Sequence, residues 1–222
     1  MRCDIFSLIE MGRNKELGCF ILKYVTTPYE VVILAEPKML KLANKLLKEA
    51  ANDPRLPQLI TYDTTFELVD VYVSALVLRN TFVEGDPIFP VAFMLHERKF
   101  AEVHKEFFWT LHQHLDLSSL ECNVPLCVDR ERGITAAILS VFPKANLVYC
   151  WNHILQHVKT WIKASTGRTT DDVTVLRKHI STLLEQTTER DFDEKYEEFQ
   201  DTWTQSFKSY VKQNLKGDMR TR

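Results

Sequence analysis

The spacing of apolar and polar positions changes along the first half of the chain. Residues 20–34 hold two short runs of β-branched and aromatic residues, which predict two strands around a Thr-Pro turn. The stretch PKMLKLANKLLKEA, from Pro37, has helical spacing. Residues 58–97 return to strand patterning in three runs, the last two joined by a turn at Gly85 and Pro87. This half therefore predicts strands with one helix among them.

From residue 98 onward, helices and strands alternate. Phe100, Val103, Phe107, Leu111 and Leu115 follow one another at steps of three and four residues, which predicts an amphipathic helix. The strand VPLCVD, the helix RGITAAILSVFP, the strand ANLVYC and the helix WNHILQHVKTWIKA come next. A three-strand meander followed by this alternation predicts an α/β fold, in which helices flank a mixed sheet.

Strand patterning is absent after residue 165. The segments DVTVLRKHISTLLEQ and DFDEKYEEFQDTWTQSFKSYVKQNL each predict one helix. Residues 185–201 hold eight acidic residues against two basic ones, which is typical of a solvent-exposed helix face. The pattern divides the chain into an N-terminal βα segment (1–57), a core (58–164) and a C-terminal helical segment (165–222).

Composition narrows the class of protein. A chain of 222 residues with 45% apolar and 26% charged residues is typical of a soluble globular protein with a substantial core. The formal net charge of -2 gives no overall attraction to nucleic acid, so DNA binding would need a local basic patch. The five cysteines are scattered and odd in number, which favours reduced thiols in the nucleus or cytoplasm. Because no apolar run matches a signal peptide or a membrane span of ~18 residues, we expect no membrane contact.

Two aspartates close predicted strands: Asp63 ends LITYD and Asp129 ends PLCVD. Functional groups collect at the carboxyl ends of strands in open sheets, and the first and fourth strands of a βββαβα core can be neighbours. Two carboxylates side by side favour Mg²⁺ or Mn²⁺, and a pair of such ions ~4 Å apart supports phosphodiester chemistry. The alternative is a turn or helix-cap role, which applies most to Asp129 because the helix RGITAA follows it closely.

The segment LVYCWNHILQHV places Cys150 and His153 where a predicted strand passes into a helix. Both residue types bind zinc, but a zinc site needs four ligands. His157 is the obvious local third, and Cys122 and Cys127 lie farther back in the sequence. Three interpretations stay open: a packed structural pair, which we favour, a zinc site, and a nucleic-acid contact.

These motifs occur together in the order of a known family. YVTTPYEVVILAE, YDTTF and CVDRERGITAAILSVFPKANLVYCWNH resemble the Mutator-like (MULE) transposases, which belong to the RNase H-like DDE superfamily. The resemblance implies an RNase H-like fold with Asp63 as the first catalytic acid and Asp129 as the second, and it matches Cys150 and His153 to the Cys-x-x-His of the family. It also implies Mg²⁺- or Mn²⁺-dependent DNA cleavage and strand transfer, with DNA as the partner, in the nucleus or cytoplasm.

The third acid of the family has no match in this sequence. Integrase-like relatives place a glutamate near the position of Ala164, and Asp171 and Asp172 fall in a predicted polar loop. Further acids lie in the helical segment, which resembles the insertion that precedes the catalytic glutamate of the family: Glu185, Glu194, Glu197 and Glu198. We therefore expect no catalytic glutamate within these 222 residues.

The missing acid sets the expected activity. The chain is expected to be a fragment of a longer transposase or a domesticated, inactive DNA- or protein-binding module, with the oligomeric state left open. Divalent binding should be weak, and DNA nicking should not exceed background. A DEDD exonuclease, which shares the fold class, is disfavoured because it needs Asp-x-Glu where Asp63, Thr64 and Thr65 stand. RNase H itself would need more carboxylates around the core.

Overall fold

The computed structural model describes residues 7, 10, 14, 20–53, 58–64, 71–80, 83–165 and 170–220. The chain divides into two compact units, Met1–Leu147 and Val148–Arg222. This division follows packing, whereas the segments 1–57, 58–164 and 165–222 follow sequence pattern. The three-segment division stays a prediction.

A mixed sheet forms the centre of the first unit. Its strands in the described ranges are β1 (Ile21–Val25), β2 (Val31–Leu34), β3 (Gln58–Thr64), β4 (Tyr72–Asn80), β5 (Ile88–His96), β6 (Leu126–Val128) and β7 (Leu147–Tyr149). They are ordered β1-β2-β5-β4-β3-β6-β7, and the unit boundary falls within β7. The pairs β1–β2, β2–β5, β5–β4 and β4–β3 are antiparallel, whereas β3 and β6 are parallel. The predicted α/β class, with a mixed sheet flanked by helices, is confirmed.

Helices of the first unit bury one apolar face each. They are α1 (Pro37–Asn52), α2 (Ala101–His112), a 3-10 helix (Ser118–Glu121) and α3 (Arg132–Val141). Helix α1 begins with Pro37 at its first turn, where the missing N–H has no helical partner to lose. Helix α2 buries Phe107, Phe108 and Leu111. Phe100, predicted to begin the buried stripe of α2, is instead the N-cap residue; it is 47% exposed and packs edge-on against Tyr29.

The hairpin between β4 and β5 has the turn residues that its sequence predicts. Gly85 has a φ of +85°, a conformation that L side chains rarely adopt, and Asp86 follows with a φ of 46°. The Asp86 carboxylate accepts a hydrogen bond from Arg79, at 2.7 Å, on the opposite strand. The turn and this ion pair hold the two strands at the hairpin end.

After the end of β7, the regular elements of the second unit in its described ranges are all helices. Its helices are α4 (Trp151–Ala164), α5 (Thr170–Leu184), α6 (Glu189–Gln200), α7 (Gln205–Asn214) and α8 (Lys216–Arg220). Their core includes Ile154, Val158, Ile180, Phe207 and Val211, all fully buried. Within the part of the chain that the structure describes, no helix is long and apolar enough to cross a membrane.

Two details of the helical prediction are wrong. The segment 191–215 was predicted as one helix, but α6 ends at Gln200 and α7 begins at Gln205. The break arises because the Thr204 side chain accepts a hydrogen bond from the Phe207 N–H and so caps a new helix. In addition, Asp171 and Asp172 lie within α5, which begins at Thr170, and not in a loop.

Candidate active site

The two aspartates predicted as catalytic lie at the ends of neighbouring parallel strands. Strand β3 pairs with β6 in the register Ile60 to Leu126 and Tyr62 to Val128. Asp63 follows Tyr62 and Asp129 follows Val128, so the same register sets the two aspartates side by side. The predicted neighbourhood of these strands is confirmed, and metal binding by the aspartates stays a prediction.

Side-chain alternation indicates that the two carboxylates lie on one face of the sheet. Tyr62 and Val128 are buried in the same face, at 0% and 1% exposure. Successive side chains of a strand point to opposite faces, so Asp63 lies on the other face, and the same alternation extended one residue past β6 indicates that face for Asp129. Both aspartates are half-buried. Two carboxylates in this arrangement can bind one cation together.

Asp129 is not the cap of the helix that follows it. The N-cap residue of α3 is Glu131, whose side chain makes no capping hydrogen bond. The Asp129 carboxylate accepts a hydrogen bond from the N–H of Arg130, at 2.6 Å. The helix-cap alternative for Asp129 is therefore wrong, whereas the turn alternative stays open.

Glu131 is a third carboxylate near this strand end that sequence reasoning missed. Burial raises the pKa of Glu131; the positive charge of Lys99 opposes this shift, and the negative charge of Asp129 adds to it. The residue stands in the short stretch between a strand and a helix, where the pattern of Asp129 followed by RERG was its only sequence signal. Among the described residues, no group of three or more His, Cys, Asp or Glu side chains could hold a metal ion. A cation on Asp63 and Asp129 would therefore complete its coordination with water, as Mg²⁺ readily does.

A buried polar network lies on the opposite face of the sheet from the aspartates. The Tyr62 hydroxyl is 2.7 Å from Nδ1 of His104 on α2. The Ser74 hydroxyl lies 2.8 Å from the Thr64 hydroxyl and 2.8 Å from Nε2 of His96. Nδ1 of His96 is 2.8 Å from the carbonyl oxygen of Arg98. This network, which we call the rim network, joins three strands and α2 at the end of the sheet that carries Asp63.

Burial controls the protonation of the rim network. It lowers the pKa of His104 to about 3, with a smaller contribution from the nearby His96 ring. Burial also lowers the pKa of His96, against the hydrogen bond to Arg98, and it raises the pKa of Tyr62. Both imidazoles are therefore neutral at pH 7. In either tautomer, Nε2 of His104 is buried without a hydrogen-bond partner within the described residues.

Cys150 and His153 lie at the start of α4, in the second unit. Cys150 is the N-cap residue of α4, and His153 is in its first turn. Both are half-buried, and Cys150 is not in a disulfide. His157, one turn later, is exposed. The structural, zinc and nucleic-acid interpretations of this pair all stay open.

The acids of the helical segment take part in contacts on the surface of α6. Glu194 forms an ion pair with Arg190 at 2.9 Å, and Glu198 forms one with Lys195 at 2.6 Å. Glu197 is exposed and contacts Gln200. The prediction of a solvent-exposed acidic helix face is confirmed for these residues.

Two comparisons with known proteins found no match. No family model matches the sequence, and no curated protein matches it. The likeness to Mutator-like transposases therefore rests on the motifs around Asp63, Asp129, Cys150 and His153.

Proposed function

We propose that this chain is a MULE-type DDE transposase domain, or a protein derived from one, that binds DNA and a divalent cation. The observation that carries the proposal is the parallel pairing of β3 with β6, which sets Asp63 beside Asp129. Each aspartate closes a strand, as the resemblance implies for the first and second acids of the family.

The strand order supports the RNase H-like part of the proposal. Strands β3, β4 and β5 form an antiparallel meander, and β6 then pairs in parallel with β3, the first strand of that meander. Helix α2 joins β5 to β6, and α3 joins β6 to β7. This βββαβα succession is the one that the family resemblance implies.

Asp63 and Asp129 would hold the cation through their carboxylate oxygens, the ligand type that Mg²⁺ and Mn²⁺ prefer. The chemistry that such bound ions would supply is activation of a water or 3′-hydroxyl and stabilisation of the leaving oxygen of the phosphodiester. Loss of one transition-state contact costs roughly 100- to 1,000-fold in rate. Because only two carboxylates are in place, we expect this chain to bind the cation weakly and to cleave DNA no faster than background.

Basic residues flank the second aspartate. Arg130 is half-buried and Arg132 is exposed at the start of α3, and Lys144 is exposed after α3. Lys159 and Lys163 on α4, in the second unit, are further candidates for phosphate contacts. Because such contacts release counterions, DNA affinity should fall steeply with salt.

DNA binding tests the proposal directly. Fluorescence anisotropy with a labelled duplex should show binding at 50 mM salt that weakens at least tenfold at 200 mM, as expected when about three or more phosphates are neutralised. The double variant Arg130→Ala/Arg132→Ala should bind more weakly at low salt. Lys38→Ala/Lys41→Ala, which removes the same charge from the exposed face of α1, is the matched control and should bind like wild type.

Two results would contradict the proposal. Absence of DNA binding at low salt would leave the protein-binding module as the better reading. Robust Mn²⁺-dependent nicking that Asp129→Ala abolishes would show that a further acid completes the site in this chain.

A further inference from the structure

Within the rim network, hydrogen bonds with fixed directions run from Thr64, the residue after Asp63, through Ser74 on β4 to His96 on β5. Thr64, the residue after Asp63, lies directly opposite Ser74 on β4. His96 lies diagonally across from Ser74 on β5, where its direct partner is Tyr72. The three side chains share the face opposite the carboxylates, so they act on Asp63 through the backbone of β3.

The donor and acceptor roles follow from the Arg98 carbonyl oxygen, the last group in this series of hydrogen bonds. The carbonyl oxygen of Arg98 can only accept, so Nδ1 of His96 carries the ring proton. The neutral ring then accepts from the Ser74 hydroxyl at Nε2. Because the hydrogen of Ser74 is used there, its oxygen accepts from the Thr64 hydroxyl. Removal of the Ser74 hydroxyl would therefore leave groups on both sides without their partner.

The same segment also contacts the helix that follows Asp129. A Cβ added to Gly133, in the first turn of α3, would lie 3.4 Å from the carbonyl oxygen of Lys99 and 3.6 Å from the N atom of Ala101. The backbone after Arg98 therefore packs directly on the start of α3, and α3 begins three residues after Asp129. Hydrogen bonds, covalent backbone and packing therefore connect Thr64, which follows Asp63, to Gly133, which lies four residues after Asp129.

We propose that Ser74 and His96 are positioning residues that fix the spacing of Asp63 and Asp129 for cation binding. This inference rests on the proposed function. A buried chain of hydrogen bonds with every hydrogen committed has a single geometry, which a purely apolar interior at this point would not impose. Groups bonded directly to metal ligands typically change metal affinity by about 10- to 100-fold when replaced, and Ser74 and His96, which act through the backbone of β3, should give the lower end of that range.

The test compares Ser74→Ala with Ser74→Ala/His96→Leu. The single variant orphans Nε2 of His96, so both stability and cation affinity should fall. The double variant removes that orphan, so part of the lost stability should be regained, although the Thr64 hydroxyl and the Arg98 carbonyl oxygen still lack these partners. A positioning role predicts that Mn²⁺ affinity stays about tenfold or more below wild type in the double variant.

Mn²⁺ binding is followed by the line broadening of assigned amide resonances, with thermal unfolding of each variant measured in parallel. Gln58→Leu is the matched control, because it replaces a buried polar side chain at the opposite end of β3, the strand that carries Asp63. Its Mn²⁺ response should equal that of wild type. Amide exchange gives a readout without metal: both Ser74 variants should lose protection at residues 62–64 and 128–130.

The outcomes separate this inference from the proposed function. If Asp63→Asn abolishes the broadening while Ser74→Ala/His96→Leu keeps the wild-type response, the positioning role is overturned and the cation site stands. If wild type shows no broadening that Asp63→Asn removes, the cation site fails, and the positioning role fails with it.

Discussion

The two units differ in what their interiors are made of. The fully buried polar residues of the described chain all lie in the first unit: Gln58, Ser74, His96, His104, Thr110 and Ser119. Over residues 148–165 and 170–220 the buried core is aliphatic and aromatic, with Tyr196 and Trp203 as its residues with polar atoms. An apolar core is stabilised by close packing, whereas a buried hydrogen-bond network fixes one geometry, and its histidines make stability depend on pH.

This difference coincides with the position of the candidate cation site. In the first unit, the polar network lies at the strand end that carries Asp63, on the face opposite the carboxylate. In the second unit, the aromatic residues pack against one another: Phe207 contacts the rings of Trp161, Trp203 and Tyr210 at centroid distances of 5.6, 5.1 and 6.2 Å. We infer that the second unit is built for stability and the sheet end of the first for a fixed geometry.

The largest expected effect is in the aromatic core of the second unit. Phe207 is fully buried, so Phe207→Ala should lower the free energy of unfolding by about 3–5 kcal/mol through lost burial and the cavity left behind. Phe207→Leu is the control and should lose less, since most of the buried volume remains. Urea unfolding followed by fluorescence and far-UV circular dichroism measures both. A loss below about 1 kcal/mol for Phe207→Ala would show that this core is not tightly packed.

The next effect is the pH dependence of the first unit. The pKa of His104 is lowered to about 3 in the folded chain, against about 6.5 unfolded. Between pH 6.5 and 3 the unfolded state therefore binds a proton that the folded state does not bind. The contribution of His104 to the free energy of unfolding is fully present above pH 6.5 and falls as the pH drops towards 3. The expected slope from this residue is about 1.4 kcal/mol per pH unit. Unfolding measured between pH 7 and 4.5 should be less pH-dependent in His104→Leu.

His179 provides the comparison for this slope in the second unit. Burial lowers the pKa of His179, whose Nδ1 accepts a hydrogen bond from the Trp203 indole at 3.1 Å. Because His179 is only partly buried, His179→Leu should change the pH dependence less than His104→Leu does. An equal or larger change in His179→Leu would contradict the contrast between the two interiors.

Sequence patterning predicted the strands and most helices because these depend on local periodicity. The βββαβα order also predicted that the strands ending near Asp63 and Asp129 are neighbours, whereas a metal role for these aspartates stays a prediction. The rim network could not be predicted, because Tyr62 and His104 are 42 residues apart and Ser74 and His96 are 22 apart. Such contacts depend on strand register, which no single run of sequence contains. The break before α7 was missed because the apolar stripe continues across it, and only the Thr204 cap marks the new helix.

The central claim is that Asp63 and Asp129 together bind a divalent cation at one site. Mn²⁺ titration with amide line broadening, in wild type, Asp63→Asn and Asp129→Asn, tests it most directly. The account predicts weak binding, visible at excess Mn²⁺, with broadening centred on residues 63–64 and 129–130 that either substitution removes. Broadening centred elsewhere, or left unchanged by both substitutions, would contradict the account.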